Sequence, residues 1–74
     1  MDLKYKIYEP LVTVYDKDNK HTACEGERCK LDSIFILEKK AFFIVFNCIG
    51  NQLNIPPEIF KDVFQPSKDQ TSPL

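Results

Sequence analysis

Residues 54–64 read NIPPEIFKDVF and decide the fold, because two prolines follow a segment that has the pattern of a β-strand. Pro56 and Pro57 end that strand, since neither can donate a hydrogen bond to a β-ladder. Pro57 also has the preset φ angle of a first helical position, and Glu58 suits the positive end of a helical turn. The stretch therefore predicts a short 3₁₀ or α turn near residues 57–61, followed by a few residues of return strand.

Strand-like segments precede this corner along most of the chain. Residues 3–8 alternate apolar and polar side chains, which is the period of a half-buried strand. Gly26 and Gly50 mark chain reversals, because glycine takes positive φ angles without steric strain. The sequence thus predicts a mainly β fold. Its strands are expected at residues 3–8, 11–15, 29–38, 41–47 and 53–55.

A chain of 74 residues is long enough for one domain only. We expect residues 1–64 to form that domain. Residues 65–74 read QPSKDQTSPL, and their polar, Pro- and Ser-rich composition predicts a flexible tail. The formal net charge of −1 excludes a strongly basic protein that binds nucleic acid or anionic lipid through its overall charge.

The first ten residues, MDLKYKIYEP, alternate charged and apolar side chains and have no apolar core of a signal peptide. The longest apolar run is AFFIVF, whereas a membrane-spanning helix needs about 20 residues. We therefore expect a cytoplasmic, reducing location in which the cysteines are thiols or metal ligands. The frequent Lys, Asn, Ile and Phe residues suit an AT-rich genome, such as that of a low-GC bacterium or its phages.

The predicted order of elements resembles that of a Src-homology-3 domain. That order is a strand, a long irregular connection, a glycine-centred turn, three consecutive strands, a 3₁₀-like turn and a final strand. EGERCKL at 25–31 is similar to the family's diverging turn, and NIPPEIF at 54–60 is similar to its Ile-Pro-Ser-Asn-Tyr-Val segment. The resemblance covers residues 3–64 and implies a small five-stranded barrel whose floor is the 3₁₀ turn.

The residues that bind proline-rich peptides in that family are mostly missing from this chain. The family's tryptophan would fall near Ala41 or Phe42, and this sequence has no tryptophan. The tyrosine of the 3₁₀ turn would fall at Ile59, so only Pro56 remains. Because a polyproline ligand needs grooves lined by flat rings, we expect the fold without that ligand.

A possible zinc site is the main metal-binding alternative. Zinc takes four nitrogen or sulfur ligands in a tetrahedron, and the turn between Cys24 and Cys29 would present two of them from one side. The alternatives are ordinary thiols, some of them buried, or a Cys24–Cys29 disulfide in an oxidising compartment. We assign no cofactor and no metal. The candidate zinc ligands are His21, Cys24, Cys29 and Cys48.

Catalytic chemistry has little support in the sequence. The single histidine, His21, excludes most acid–base schemes that need a pair. Cys24 lies three residues away, but on a predicted turn with no recognisable third group or oxyanion loop. We therefore expect that the protein is not an enzyme.

The two central strands are apolar on both faces, whereas a small barrel buries only one face of each strand. The surplus face would place several large side chains in water, and monomers seldom carry such a patch. We predict that this face binds another protein or a second copy of the chain, although the sequence leaves open which face is outside. The helical turn, the 9–23 connection or the tail would otherwise cover it. The predicted partner-binding residues are Phe35, Leu37, Phe43 and Val45.

A second functional class rests on cations at predicted turns or their edges. Small barrels bind nucleic acid, and cations gathered at one end of a barrel would contact phosphates. The cations concerned are Lys17, Lys20, Arg28, Lys30, Lys39 and Lys40. The sequence thus supports two functional classes. The first is a small non-catalytic adaptor or inhibitor, encoded by a phage or mobile element. The second is a nucleic-acid-associated accessory or regulatory protein.

Overall fold

The computed structural model describes residues 5–16, 18 and 20–72. Within these residues the chain folds mainly as β-structure, which confirms the predicted class. The elements are β1 (Ile7–Pro10), β2 (Val14–Tyr15), β3 (Thr22–Ala23), β4 (Cys29–Leu37), β5 (Lys40–Phe46), β6 (Gln52–Ile55), α1 (Pro57–Val63) and β7 (Phe64–Pro66).

Five of the strands form one antiparallel sheet in the order β6-β5-β4-β1-β7, and β2 and β3 form a separate hairpin. Strands β4, β5 and β6 are consecutive neighbours, whereas β7 returns to pair with β1. Within the described part of the chain, the edge strands β6 and β7 share no ladder. Helix α1 connects these two edge strands.

The N-terminal strand is shifted relative to its prediction. Residues 3 and 4 lie outside the described residues, and β1 begins at Ile7. It ends at Pro10. Proline has no N–H to donate to the ladder, so it interrupts the pairing least at the end of a strand. Of the predicted strand at 11–15, only Val14 and Tyr15 pair, with β3.

The double-proline corner forms as predicted and continues into a longer helix. Pro56 is the N-cap residue, and its carbonyl accepts hydrogen bonds from the N–H groups of Ile59 and Phe60 at 3.1 and 3.0 Å. The helix ends at Val63, where Phe64 turns to extended backbone and begins β7. None of the helices formed by the described residues is long and apolar enough to cross a membrane.

The corner places one aromatic side chain, Phe60, at the centre of the core. Its ring centroid lies 5.0 Å from that of Tyr8, 4.6 Å from that of Phe43 and 4.9 Å from that of Phe64. These partners belong to β1, β5 and β7, so one helical residue joins three strands of the sheet. The other buried apolar residues are Ile7, Val14, Ala23, Cys29, Val45, Leu53 and Ile55.

Residues beyond 64 pack against the sheet, so the predicted domain boundary at 64 is wrong. Strand β7 pairs with β1 through Pro66, and the Ser67 N–H donates to the Ile7 carbonyl at 2.9 Å. The side-chain amide of Gln70 then extends this edge. Its Oε1 accepts from the Ile7 N–H at 2.9 Å, and its Nε2 donates to the Ile7 carbonyl at 2.9 Å. The amide thus acts as the peptide group of one further strand residue, which composition alone does not indicate.

The tight turn between β4 and β5 is strained. Glu38 and Lys39 have φ angles of 52° and 66°, which is the left-handed region that glycine and asparagine prefer. Two consecutive residues with positive φ in a two-residue hairpin loop are typical of a type I′ turn. Side chains with a Cβ atom therefore occupy positions at which glycine would be free of strain.

We expect Lys39→Gly to raise the free energy of unfolding by about 1 kcal/mol, because glycine removes the left-handed strain at this position. Urea unfolding would measure the change. Lys40→Gly is the matched control: Lys40 lies in β5, where glycine lowers stability by about 0.5–1 kcal/mol. A Lys39→Gly protein that is less stable than the wild type would contradict this assignment of strain.

We expect Gln70→Ala to lower the free energy of unfolding by about 1–2 kcal/mol, because the N–H and carbonyl of Ile7 would lose a partner in a partly buried position. Gln65→Ala, at an exposed position of β7, is the control and should change stability by less than about 0.5 kcal/mol. Equal effects of the two substitutions in thermal or urea unfolding would show that the amide does not fasten the C-terminal segment.

Candidate partner-binding surface

The register of β4 and β5 determines which apolar residues face outward. Phe35 pairs with Phe42, and Ser33 pairs with Ile44. Residues directly opposite each other in an antiparallel ladder share a face, and alternate residues of one strand do so as well. We call the resulting surface the outer apolar face. Its members are Phe35, Leu37, Phe42, Ile44 and Phe46.

This register corrects half of the predicted partner-binding set. Phe43 and Val45 are only 6% and 0% exposed and pair with Ile55 and Leu53 on the core side of the sheet. The prediction that they bind a partner is therefore wrong. Phe35 and Leu37 do lie on the outer face, where β5 contributes the alternate set of residues. The sequence shows two apolar sets in β5 but carries no information about which set pairs with Phe35.

The outer apolar face is accessible along its length. Leu37 is exposed, and the other four members are half-buried. The rings of Phe35 and Phe42 stack with their centroids 5.7 Å apart and an interplanar angle of 29°. Stacked rings at the surface form a flat apolar area, which is the kind of surface that a partner can cover.

The tip of the β4–β5 hairpin is apolar on its other face too. Ile34 pairs with Phe43 and Ile36 pairs with Ala41, so both isoleucines point to the core side of the sheet. They are nevertheless exposed, Ile36 to 74%, because the hairpin extends beyond the core at this end. An open depression of about 400 Å³ lies between the tip and the start of α1. It is lined by Lys40, Ala41, Phe42, Pro56, Pro57 and Glu58.

The predicted cations do not gather at one end of the molecule. Lys39 and Lys40 lie at the hairpin tip, whereas Lys20 lines a depression beside the turn after β5. Strand β5 separates these two places and is about 20 Å long at about 3.3 Å per residue. Lys17 lies outside the described residues. The cations that the structure describes therefore do not form a single phosphate-binding patch.

The other two cations have different surroundings. Arg28 forms an ion pair with Asp69, with Nη1 and Oδ2 3.1 Å apart, and donates to the Thr71 carbonyl at 2.9 Å. Lys30 stands opposite Phe46 on the outer side of the sheet. Arg28 therefore fastens the C-terminal segment, and Lys30 lies beside the outer apolar face.

The predicted zinc ligands do not form a metal site. Cys29 is 0% exposed and its Sγ donates to the Glu27 carbonyl at 3.5 Å. Burial raises the pKa of this thiol to about 12, so it holds its proton at neutral pH. Among the residues that the structure describes, no three His, Cys, Asp or Glu side chains are placed to hold a metal ion. All three cysteines are free thiols.

Two turns meet at the carboxylate of Glu27, which no sequence pattern identifies as a functional or structural site. Glu27 Oε1 accepts a hydrogen bond from the Cys24 N–H at 2.9 Å, and Oε2 accepts one from the Cys48 N–H at 2.7 Å. Partial burial raises the pKa of Glu27, but the hydrogen bonds from these two cysteines outweigh it and lower the pKa overall. Since Cys48 is 21 residues away in sequence, no local pattern reveals the contact.

A buried amide, Asn47, holds the same turn from its other side. Asn47 is 3% exposed, and its Nδ2 donates to the Thr22 carbonyl at 2.9 Å. Its Oδ1 accepts from the N–H groups of Ile49 and Asn51 at 3.2 and 2.9 Å. Glu27 and Asn47 thus tie the β5–β6 turn to the β2–β3 side of the molecule.

We expect Glu27→Gln to lower the free energy of unfolding at pH 7 by about 1 kcal/mol, since a neutral amide is a weaker acceptor for two N–H groups. Because the folded pKa of Glu27 is below 4.5, the carboxylate's contribution is fully present above pH 4.5 and is lost as the pH falls through the folded pKa. The difference between the two proteins should therefore disappear in acid.

Urea unfolding of both proteins at neutral and acid pH would measure this difference. Glu25→Gln, an exposed position in the same turn, is the control and should match the wild type at every pH. A Glu27→Gln difference that is as large in acid as at pH 7 would show that the charge of Glu27 is not its source.

Comparison of the chain with protein-family models, with curated proteins and with solved structures found no match.

Proposed function

We propose that the protein is a small, non-catalytic interaction module of the adaptor or inhibitor type. It binds another protein through the outer apolar face and the adjoining hairpin tip, and it self-associates through the same surface when that protein is absent. The observation that carries the proposal is the presence of large apolar side chains on both faces of one exposed hairpin end. A surface of this kind is a site of protein contact more often than a free surface of a monomer.

The arrangement of the surface supports this function. The stacked rings of Phe35 and Phe42 provide a rigid apolar centre, and rigid aromatic groups contribute strongly to interfaces. Leu37 continues this area towards the tip. Lys39 and Lys40 stand at its end, and cations at the rim of an interface act mainly on orientation and association rate.

We also propose that the sheet is a barrel of the Src-homology-3 type. The order of elements supports this, since the long β1–β4 connection, the β4–β5–β6 meander, the proline-led turn and the return strand occur in the expected succession. A second support is the link between the two edge strands. Helix α1 has seven residues and is about 10 Å long, so it keeps the ends of β6 and β7 near each other.

A cytoplasmic location belongs to the same proposal, and the three free thiols support a reducing compartment. The nucleic-acid alternative has no comparable support. Its described cations are divided between the two ends of β5, and Arg28 is paired with Asp69.

Sedimentation velocity between about 10 and about 500 μM would test the surface. We expect the wild type to associate reversibly, and Leu37→Lys and Ile36→Lys to weaken association at least tenfold, because each places a charge in the apolar contact. Ile49→Lys is the matched control: Ile49 is 76% exposed, close to the 74% of Ile36, but lies in the turn at the opposite end of β5.

Proximity labelling in the native cell would test binding of another protein. A photo-reactive residue at position 37 should cross-link one defined partner, and the same residue at position 49 should not. Wild-type protein that stays monomeric at the highest concentration and gives the same cross-links from both positions would overturn the proposal.

A further inference from the structure

We propose that Cys24 and Cys48 are a redox-active pair that closes to an intramolecular disulfide when the protein meets a low-molecular-weight disulfide such as oxidised glutathione. The site is distinct from the outer apolar face and does not depend on the proposed function. Three observations carry it: the two cysteines share one carboxylate, both are exposed, and both lie in turns.

The shared carboxylate brings the two cysteines close together. Each backbone N–H donates to a different oxygen of Glu27, at 2.9 Å for Cys24 and 2.7 Å for Cys48. The two backbone nitrogens therefore lie within about 8 Å of each other, while a disulfide needs Cα atoms about 4.4–6.8 Å apart. Closure therefore requires a movement of one or both turns that brings the two Cα atoms into this range.

The surroundings make both thiols reachable by a small oxidant. Cys24 and Cys48 are exposed and line the same open depression of about 260 Å³. Cys29, the remaining cysteine, is fully buried, so the same reagent cannot reach it. Exposure thus selects one pair from the three cysteines.

The local backbone allows the closure. The turn at Cys24 is closed by the Glu27 N–H, which donates to the Cys24 carbonyl at 2.9 Å. The turn at Cys48 is closed by the Gly50 N–H, which donates to the Asn47 carbonyl at 3.0 Å. Neither cysteine is part of a strand, so the sulfur atoms can approach without breaking a ladder.

The reaction is a pair of thiol–disulfide exchanges. The Cys24 thiolate attacks one sulfur of oxidised glutathione, which forms a mixed disulfide and releases one glutathione thiolate that takes up a proton. The Cys48 thiolate then attacks the Cys24 sulfur, which forms the Cys24–Cys48 bond and releases the second glutathione. Two protein thiols are oxidised, and one glutathione disulfide is reduced to two thiols.

Glu27 assigns the order of the two steps. Hydrogen bonding to the Glu27 carboxylate is the largest cause of the raised pKa of Cys48, followed by desolvation and by the negative charge of Glu27. A thiol that holds its proton is a poor first nucleophile, because only the thiolate attacks a disulfide. Cys48 therefore acts second, as the resolving cysteine.

Mass spectrometry after incubation with oxidised glutathione at about pH 8 would test the proposal. Trypsin separates the three cysteines, since Cys24 falls in the peptide 21–28, Cys29 in 29–30 and Cys48 in 41–61. We expect the intact protein to lose about 2 Da, the mass of two hydrogens, and peptides 21–28 and 41–61 to be linked until a reductant is added.

Variants and stability give independent readouts. Cys29→Ala should still lose the two hydrogens, whereas Cys24→Ser and Cys48→Ser should each keep one glutathione instead. The oxidised wild type should melt several degrees higher than the reduced protein, because the bond constrains the unfolded chain. Two stable glutathione adducts on the wild type, a link that includes Cys29, or a disulfide between two chains would overturn the proposal.

Discussion

The insertion of Phe60 into the core is the contact on which the rest of the structure depends. A seven-residue helix cannot bury much surface by itself, yet its one fully buried side chain touches rings from β1, β5 and β7. The prolines at 56 and 57 make this possible. They end β6 and start the helix at a fixed angle, so that Phe60 arrives one turn later facing the sheet. Phe60 thus connects the aromatic rings of the β1–β7 pair to that of β5.

When only one face of a sheet is covered by its own chain, the other face contacts either solvent or another protein. In this chain the core side takes Phe43, Val45, Leu53 and Ile55, and the opposite side of β5 carries apolar residues of equal size. Among the described residues, the large apolar side chains on that opposite side remain exposed or half-buried. The helix packs on the core side of the sheet. The C-terminal segment pairs with the edge of β1. The outer apolar face is the geometric consequence of this division.

The features that could be predicted from the sequence are those determined by residues adjacent in the chain. The 57–61 turn follows from two prolines and a glutamate, and the long strands follow from runs of apolar residues. The errors about the outward face of β5 and about the domain boundary concern partners far apart in sequence. Whether Phe42 or Phe43 stands beside Phe35 depends on the register of a whole ladder, because a shift of one residue exchanges the two faces. The roles of Glu27 and Gln70 depend on backbone groups 21 and 63 residues away, which no local pattern encodes.

The Gln70 contact also sets the order in which the molecule can be completed. Residue 70 supplies hydrogen bonds to residue 7, so one edge of β1 stays unsatisfied until residue 70 has been synthesised. Strands β4, β5 and β6 can form their meander earlier, because each pairs with its neighbour in sequence. Closure across so long a separation is slow in general, since the loop entropy is lost before the contact is made. During synthesis on the ribosome, this edge of β1 must therefore wait for residue 70, and a shorter nascent chain would leave the edge exposed.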